Sequence, residues 1–160
     1  MRFPSATRRD PAVDRWMDAH PGALGALARR WFEAMRACGE DVRELLHDGQ
    51  PTACVGDAAF GYVDAFAHHV DVGFYLGACI ADPDALLQGR GRFMRHVKLG
   101  PRHAVDDAAL AKLVRASCDD MRERLRAVDG PARQGAGANA VSAKTPQRSS
   151  SPSRAKTMRT

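Results

Sequence analysis

The sequence predicts an α+β fold: a curved antiparallel sheet of about four to five strands with helices packed on one face. Two apolar stripes at helical spacing, one near each end, bracket a central stretch rich in β-branched and aromatic residues. The links inside that stretch are short, which favours hairpins over crossover connections. Helices, then a meander, then a helix are the pattern of segregated α+β layers.

Each element has its own signal. Residues 1–9 show no period and are expected to be a flexible N-terminus. Asp10-Pro11 supplies an N-cap and a first-turn proline, predicting a short helix over 11–19. Pro21 opens a second helix, whose Leu24, Leu27, Ala28, Trp31, Met35 and Cys38 follow the 3, 4, 7 spacing of one buried stripe, with Gly39 ending it. Residues 41–47 are expected to add one or two helical turns before Asp48-Gly49-Gln50-Pro51 breaks the chain. Strands are predicted over 52–55, 60–66 and 70–76, with a tight turn at Ala67-His68. Asp82-Pro83 predicts a short helix through Leu87, capped by Gly89-Arg90-Gly91. A basic strand, 94–99, follows. Asp106 or Asp107 caps a long helix marked by Leu110, Leu113, Val114, Cys118, Met121, Leu125 and Val128. The domain thus spans 10–128.

Residues 129–160 read as a disordered basic tail, poor in groups that could bury apolar area. The tail accounts for the net charge of +5: residues 131–160 carry six basic groups and no acid, and removing six from 24 leaves 18 against 19 acidic. The folded part therefore offers no domain-wide field to recruit nucleic acid, and any such contact would be weak and made through the tail. No run approaches membrane-spanning length and no apolar leader follows the first basic residues, so a cytoplasmic location without membrane contact is expected. Cys38, Cys54, Cys79 and Cys118 form no C-x-x-C pair and read as small hydrophobes kept reduced.

The GFYLGA run at 73–78, the Asp82-Pro83-Asp84-Ala85-Leu86-Leu87-Gln88-Gly89 segment and the Gly-rich turn leading into Met94-Arg95-His96-Val97-Lys98-Leu99 resemble the YdhG-like domain family (domain of unknown function 1801). The likeness extends more weakly from Pro21 to about Leu125. It implies a small α+β sandwich with a curved sheet. It also raises a frataxin-like, iron-carrying role, with iron as the bound metal.

Chemistry concentrates on one sheet face. Side chains alternate along strands, so His69, Asp71 and Tyr75 share the face opposite Val70, Val72 and Phe74; His96 and Lys98 share a face opposite Val97 and Leu99. With the apolar faces turned to the helices, the polar set gathers on the far side, and Arg95 points to the helix rim, where it needs a carboxylate. Two imidazoles with a carboxylate suit a transition metal, while Lys and imidazolium suit an acidic small molecule. A solvated face with ordinary cross-strand pairs remains the alternative. The iron reading uses Asp10, Asp14 and Asp18, four apart on the first helix, or Asp41, Glu44 and Asp48. No motif for nucleophilic, metal-hydrolytic or phosphate-loop catalysis occurs, so a non-enzymatic binding protein is the expectation.

Overall fold

The computed structural model describes residues 1–134. The chain forms α1 (Pro11–Ala19), α2 (Gly22–Arg36), β1 (Val42–His47), β2 (Gln50–Val55), β3 (Ala58–Ala65), β4 (Val70–Phe74), β5 (Arg95–Leu99) and α3 (Asp107–Gln134). The five strands make one antiparallel sheet in the order β1-β2-β3-β4-β5, and the helices lie against one face, as the sequence predicts.

Local chemistry explains most boundaries. The Asp10 carboxylate accepts from Ala12 N at 2.8 Å, capping α1, and from Leu46 N at 3.1 Å, which ties that helix start to β1. The Asp106 carboxylate does the same for α3 through Ala108 N at 2.7 Å. Asp48 and Gly49, both at positive φ, form a two-residue hairpin between β1 and β2. Phe66 N donates to His69 O at 2.9 Å and closes the β3–β4 turn.

Four expectations are corrected. Residues 41–47 are not a helix: they contribute β1, because the Asp48-Gly49 hairpin returns the chain antiparallel and alternation places Val42 and Glu44 inward. The short helix over 83–87 is absent. The Asp82 carboxylate accepts from Leu86 N and Leu87 N, and Ala85 lies at φ +53, a left-handed conformation that stops helical propagation. The Gly-Arg-Gly turn therefore caps no helix. Residues 1–9 are not loose: Thr7 exchanges two backbone hydrogen bonds with Glu44, Phe3 N bonds Asp57 O, and Ala59 N bonds Met1 O. This segment satisfies edge groups of β1 and of the start of β3. Finally, the α3 backbone continues past Val128 to Gln134, as propagation is favoured once a helix is nucleated. The remainder of the expected tail, 135–160, lies outside the described residues.

The core sits between sheet and helices. Phe32 and Met35 of α2, Phe60, Val63, Val72, Phe74 and Val97 of the sheet, and Leu110 and Val114 of α3 are almost completely buried. The β2–β3 register shifts so that Phe60 is an extra residue opposite Ala53 and Cys54. This bulge lets both Phe60 and Gly61 face the helices. The Phe60 carbonyl accepts from Tyr75 N at 3.1 Å and also from the buried Ser117 Oγ of α3 at 3.0 Å, tying the bulge to that helix.

Candidate functional site on the outer sheet face

The sheet face away from the helices carries residues in cross-strand rows set by register. One row runs His47, Gln50, Asp64, Asp71, Lys98 from β1 to β5; the next runs Leu45, Thr52, Tyr62, Gly73, His96. Gln50 Nε2 donates to Asp64 Oδ2 at 2.8 Å. The Tyr62 ring lies over Gly73 so closely that a Cβ there would meet the ring at 1.9 Å. Glycine at 73 is therefore what allows an aromatic platform beside His96.

Asp71 is the centre of the arrangement. Its side chain is 14% exposed, between His69 (23%) and His96 (26%). His69 Nε2 stands 3.5 Å from Asp71 Oδ1 and His96 Nε2 stands 4.0 Å from Oδ2. Among the described residues, Asp71 Oδ1 has no hydrogen-bond partner although it is buried from solvent. An acceptor left unpaired in this way costs about 1–3 kcal/mol, so a ligand's donor would be stabilising there once the side chains that shut it from solvent, with His69 Nε2 at 3.5 Å, move aside. Lys98 faces Asp71 across the β4–β5 ladder. The His69 ring stacks on Phe66 at 4.6 Å and meets His103 edge-on at 6.3 Å.

The sequence brings His69, Asp71, His96 and Lys98 together correctly, because parity alone decides which residues share a face. Tyr75 has the right parity but the wrong surroundings. It is buried with Leu45, Cys54 and Ala59 beneath Phe3 and Ala6, since the N-terminal segment covers that end of the face. Burial, against a hydrogen bond with Thr52, pushes its phenol pKa up. Arg95 does point to the helix side, but its Nη1 donates to the carbonyls of Gly91 and Met94 rather than to the carboxylate expected. Asp64, Tyr62 and His103 also line the site. Parity along β3 would have found the first two had the β3–β4 register been known.

The helical carboxylates do not form a free acidic row. Asp10 is occupied by backbone amides, Asp14 pairs with Arg36 at 3.2 Å, and Asp18 pairs with Arg29 at 3.1 Å. The second acidic row dissolves because its residues lie on a strand and its flanks. Glu44 faces inward at 1% exposure and holds Arg36 through two hydrogen bonds of 2.6 and 2.7 Å. Among the described residues, no group of three or more His, Cys, Asp or Glu side chains is arranged to hold a metal ion, and no helix is long and apolar enough to cross a membrane.

Two surface clefts are lined by other residues: one of about 570 Å³ between α1 and α2, bordered by Met17, His20, Gly25 and Arg29, and one of about 280 Å³ beside His68 and Arg102. Comparison with protein-family models, curated proteins and solved structures returns no match for this chain.

Proposed function

We propose that this chain is a YdhG-like, non-enzymatic binding domain whose outer sheet face takes a small polar molecule at Asp71. The observation that carries the reading is the unpartnered, solvent-shielded Asp71 Oδ1 between two imidazoles. A ligand presenting a donor beside an acceptor, such as a hydroxy acid or an amide, satisfies Asp71 with the first. It receives a hydrogen bond from His69, His96 or Lys98 with the second. Phe66 and Tyr62 flank the site with flat apolar surface against which a small carbon skeleton can rest. Metal binding by the two imidazoles and the carboxylate is weakened, because these side chains are not arranged to hold a metal ion and the imidazoles would have to turn toward a common point. The frataxin-like iron reading is weakened by the pairing of Asp14 with Arg36 and of Asp18 with Arg29. Nucleic-acid contact through the basic tail concerns residues outside those described.

Thermal shift against hydroxycarboxylates, amides, phosphate, Zn²⁺ and Fe²⁺ tests the proposal. A compound bound only by the native state at a hundred times its Kd adds about 2.7 kcal/mol of stability. At least one organic member is expected to raise the melting temperature of the wild type and to lose that effect in Asp71→Ala and His96→Ala. A shift that survives both substitutions rejects the outer-face site. A shift confined to Zn²⁺ or Fe²⁺ and lost in both variants moves the metal reading to first place.

A further inference from the structure

Two of the four cysteines, distant in sequence, are brought to one junction, where the end of α2 lies against α3. Cys38 lies just beyond the last turn of α2 and is 6% exposed; Cys118 lies in the middle of α3 and is fully buried. The α3 residues Arg115, Cys118 and Arg122 lie at i, i+3 and i+7, on one helix face. Both arginines reach the Cys38 carbonyl, Arg122 Nη2 at 2.9 Å and Arg115 Nη1 at 3.4 Å. The helix face that carries Cys118 is thereby clamped onto Cys38 from both sides. Arg122 is itself held by Asp41 at 2.7 Å and Asp119 at 2.9 Å, so the clamp is built into the junction.

We propose that Cys38 and Cys118 are a redox pair, which a peroxide converts to a reversible disulfide fastening the end of α2 to α3. The chemistry divides unequally between them. A hydrogen bond from the Cys118 thiol lowers the pKa of Cys38, burial opposes it, and the Arg115 and Arg122 charges add to the lowering. The same hydrogen bond, with burial, raises that of Cys118. Cys38, the more exposed of the two, is therefore the attacking sulfur, giving up its contact with the Ala34 carbonyl as it ionises, and the fully buried Cys118 is the resolving thiol. The Cys38 sulfur attacks one peroxide oxygen; the S–O bond forms, the O–O bond breaks, and the departing hydroxide takes a proton to become water. The Cys118 sulfur then attacks the Cys38 sulfenic acid. The S–S bond forms, the S–O bond breaks, and hydroxide leaves with the Cys118 proton as a second water. The balance is two thiols and one hydrogen peroxide to one disulfide and two waters. A dithiol reductant reverses it by exchange.

The other cysteines serve as internal comparisons. Cys54 is buried, and burial first, then the Asp57 charge, pushes its thiol up to about 12 against the weaker pull of the N-terminal amine. Cys79 is exposed. The experiment uses the full chain carrying Cys79→Ser, to suppress links between molecules. It is reduced, desalted, treated with hydrogen peroxide under native conditions, blocked with N-ethylmaleimide and digested with trypsin. The tryptic peptides 37–43 and 116–122 are expected to disappear together into one linked species, lighter than their sum by two hydrogens. The Cys54 peptide should remain blocked by N-ethylmaleimide only after denaturation. The melting temperature is expected to rise on oxidation and to return with dithiothreitol, because the bridge constrains the unfolded chain. In the further variant Cys118→Ser, Cys38 is expected to stop at a sulfenic acid that dimedone captures. Oxidation of Cys38 to sulfinic acid while Cys118 stays a thiol overturns the proposal. So does a linked peptide that forms only in denaturant, or a Cys79→Ser chain that keeps both thiols under excess peroxide. The peptide map of the Cys79→Ser chain decides the matter even if the further Cys118→Ser variant does not fold.

Discussion

At the scale of single residues, the buried Glu44–Arg36 pair is the clearest test of how charge is accommodated in this fold. Glu44 Oε1 accepts from Asp10 N and Arg36 Nη2 while Oε2 accepts from Arg36 Nε, so the carboxylate is satisfied on both oxygens. Burial opposes the charge on Arg36, and the hydrogen bonds and charges of Glu44 and Glu33 outweigh it, leaving its pKa above the ordinary arginine value. Removing Glu44 leaves Arg36 paired with Glu33 and Asp14, whereas removing Arg36 strands the buried Glu44 carboxylate. Arg36→Ala is therefore expected to cost about 3–5 kcal/mol in chemical denaturation. Replacing both residues by apolar ones of similar volume should cost less than that.

Tyr62 gives a second prediction, this one dependent on pH. Burial, then the charge of Asp71, pushes its phenol up to about 12 from an ordinary value near 10. A raised folded-state pKa stabilises the protein fully below the unfolded value, and that contribution is lost as pH rises through the folded value. Alkaline unfolding is thus expected to set in between about 10 and 12. The chain has two tyrosines and Tyr75 is also shifted upward, so phenolate absorbance is followed in a Tyr75→Phe background, where Tyr62 is the one phenol left. Asp71→Asn should lower the Tyr62 midpoint; an unchanged midpoint would show that Asp71 does not act on this ring.

At the scale of elements, the N-terminal segment behaves as part of the sheet. It borrows edge hydrogen bonds from β1 and the start of β3, and lays Phe3 and Ala6 over Leu45, Cys54, Ala59 and Tyr75. Deleting residues 1–7 uncovers this patch. The expected outcome is a lower melting temperature together with faster labelling of Cys54 by a thiol reagent. A deletion that leaves Cys54 labelling unchanged would contradict the cover. The helices were legible in sequence because their stripes and caps are local, as Asp10 and Asp106 show. β1 was not legible as a strand: Val42 to His47 has no clean polar alternation, since its inward position 44 is a glutamate made acceptable by an arginine on α2. The helix expected at 83–87 failed for a related reason. Its capping aspartate closes a single turn, and Ala85 leaves the helical region.

At the scale of the whole molecule, one open sheet with helices on one side leaves the other face partly bare, and only part of it is covered by the N-terminal segment. The covered end became a small apolar cluster; the uncovered end became the polar rows around Asp71. That division separates Tyr75 from the residues it was expected to join.

The sequence by itself determined the fold class, the helical faces, and the membership of His69, Asp71, His96 and Lys98 in one face, because helix period, strand parity and caps are properties of near neighbours in the chain. Tertiary packing alone sets that Asp71 Oδ1 has no hydrogen-bond partner, that Glu44 is buried against Arg36, and that Cys38 lies against the α3 face that carries Cys118. Register, edge covering and helix docking bring together residues far apart in sequence, and their pairing depends on packing geometry that no local pattern encodes.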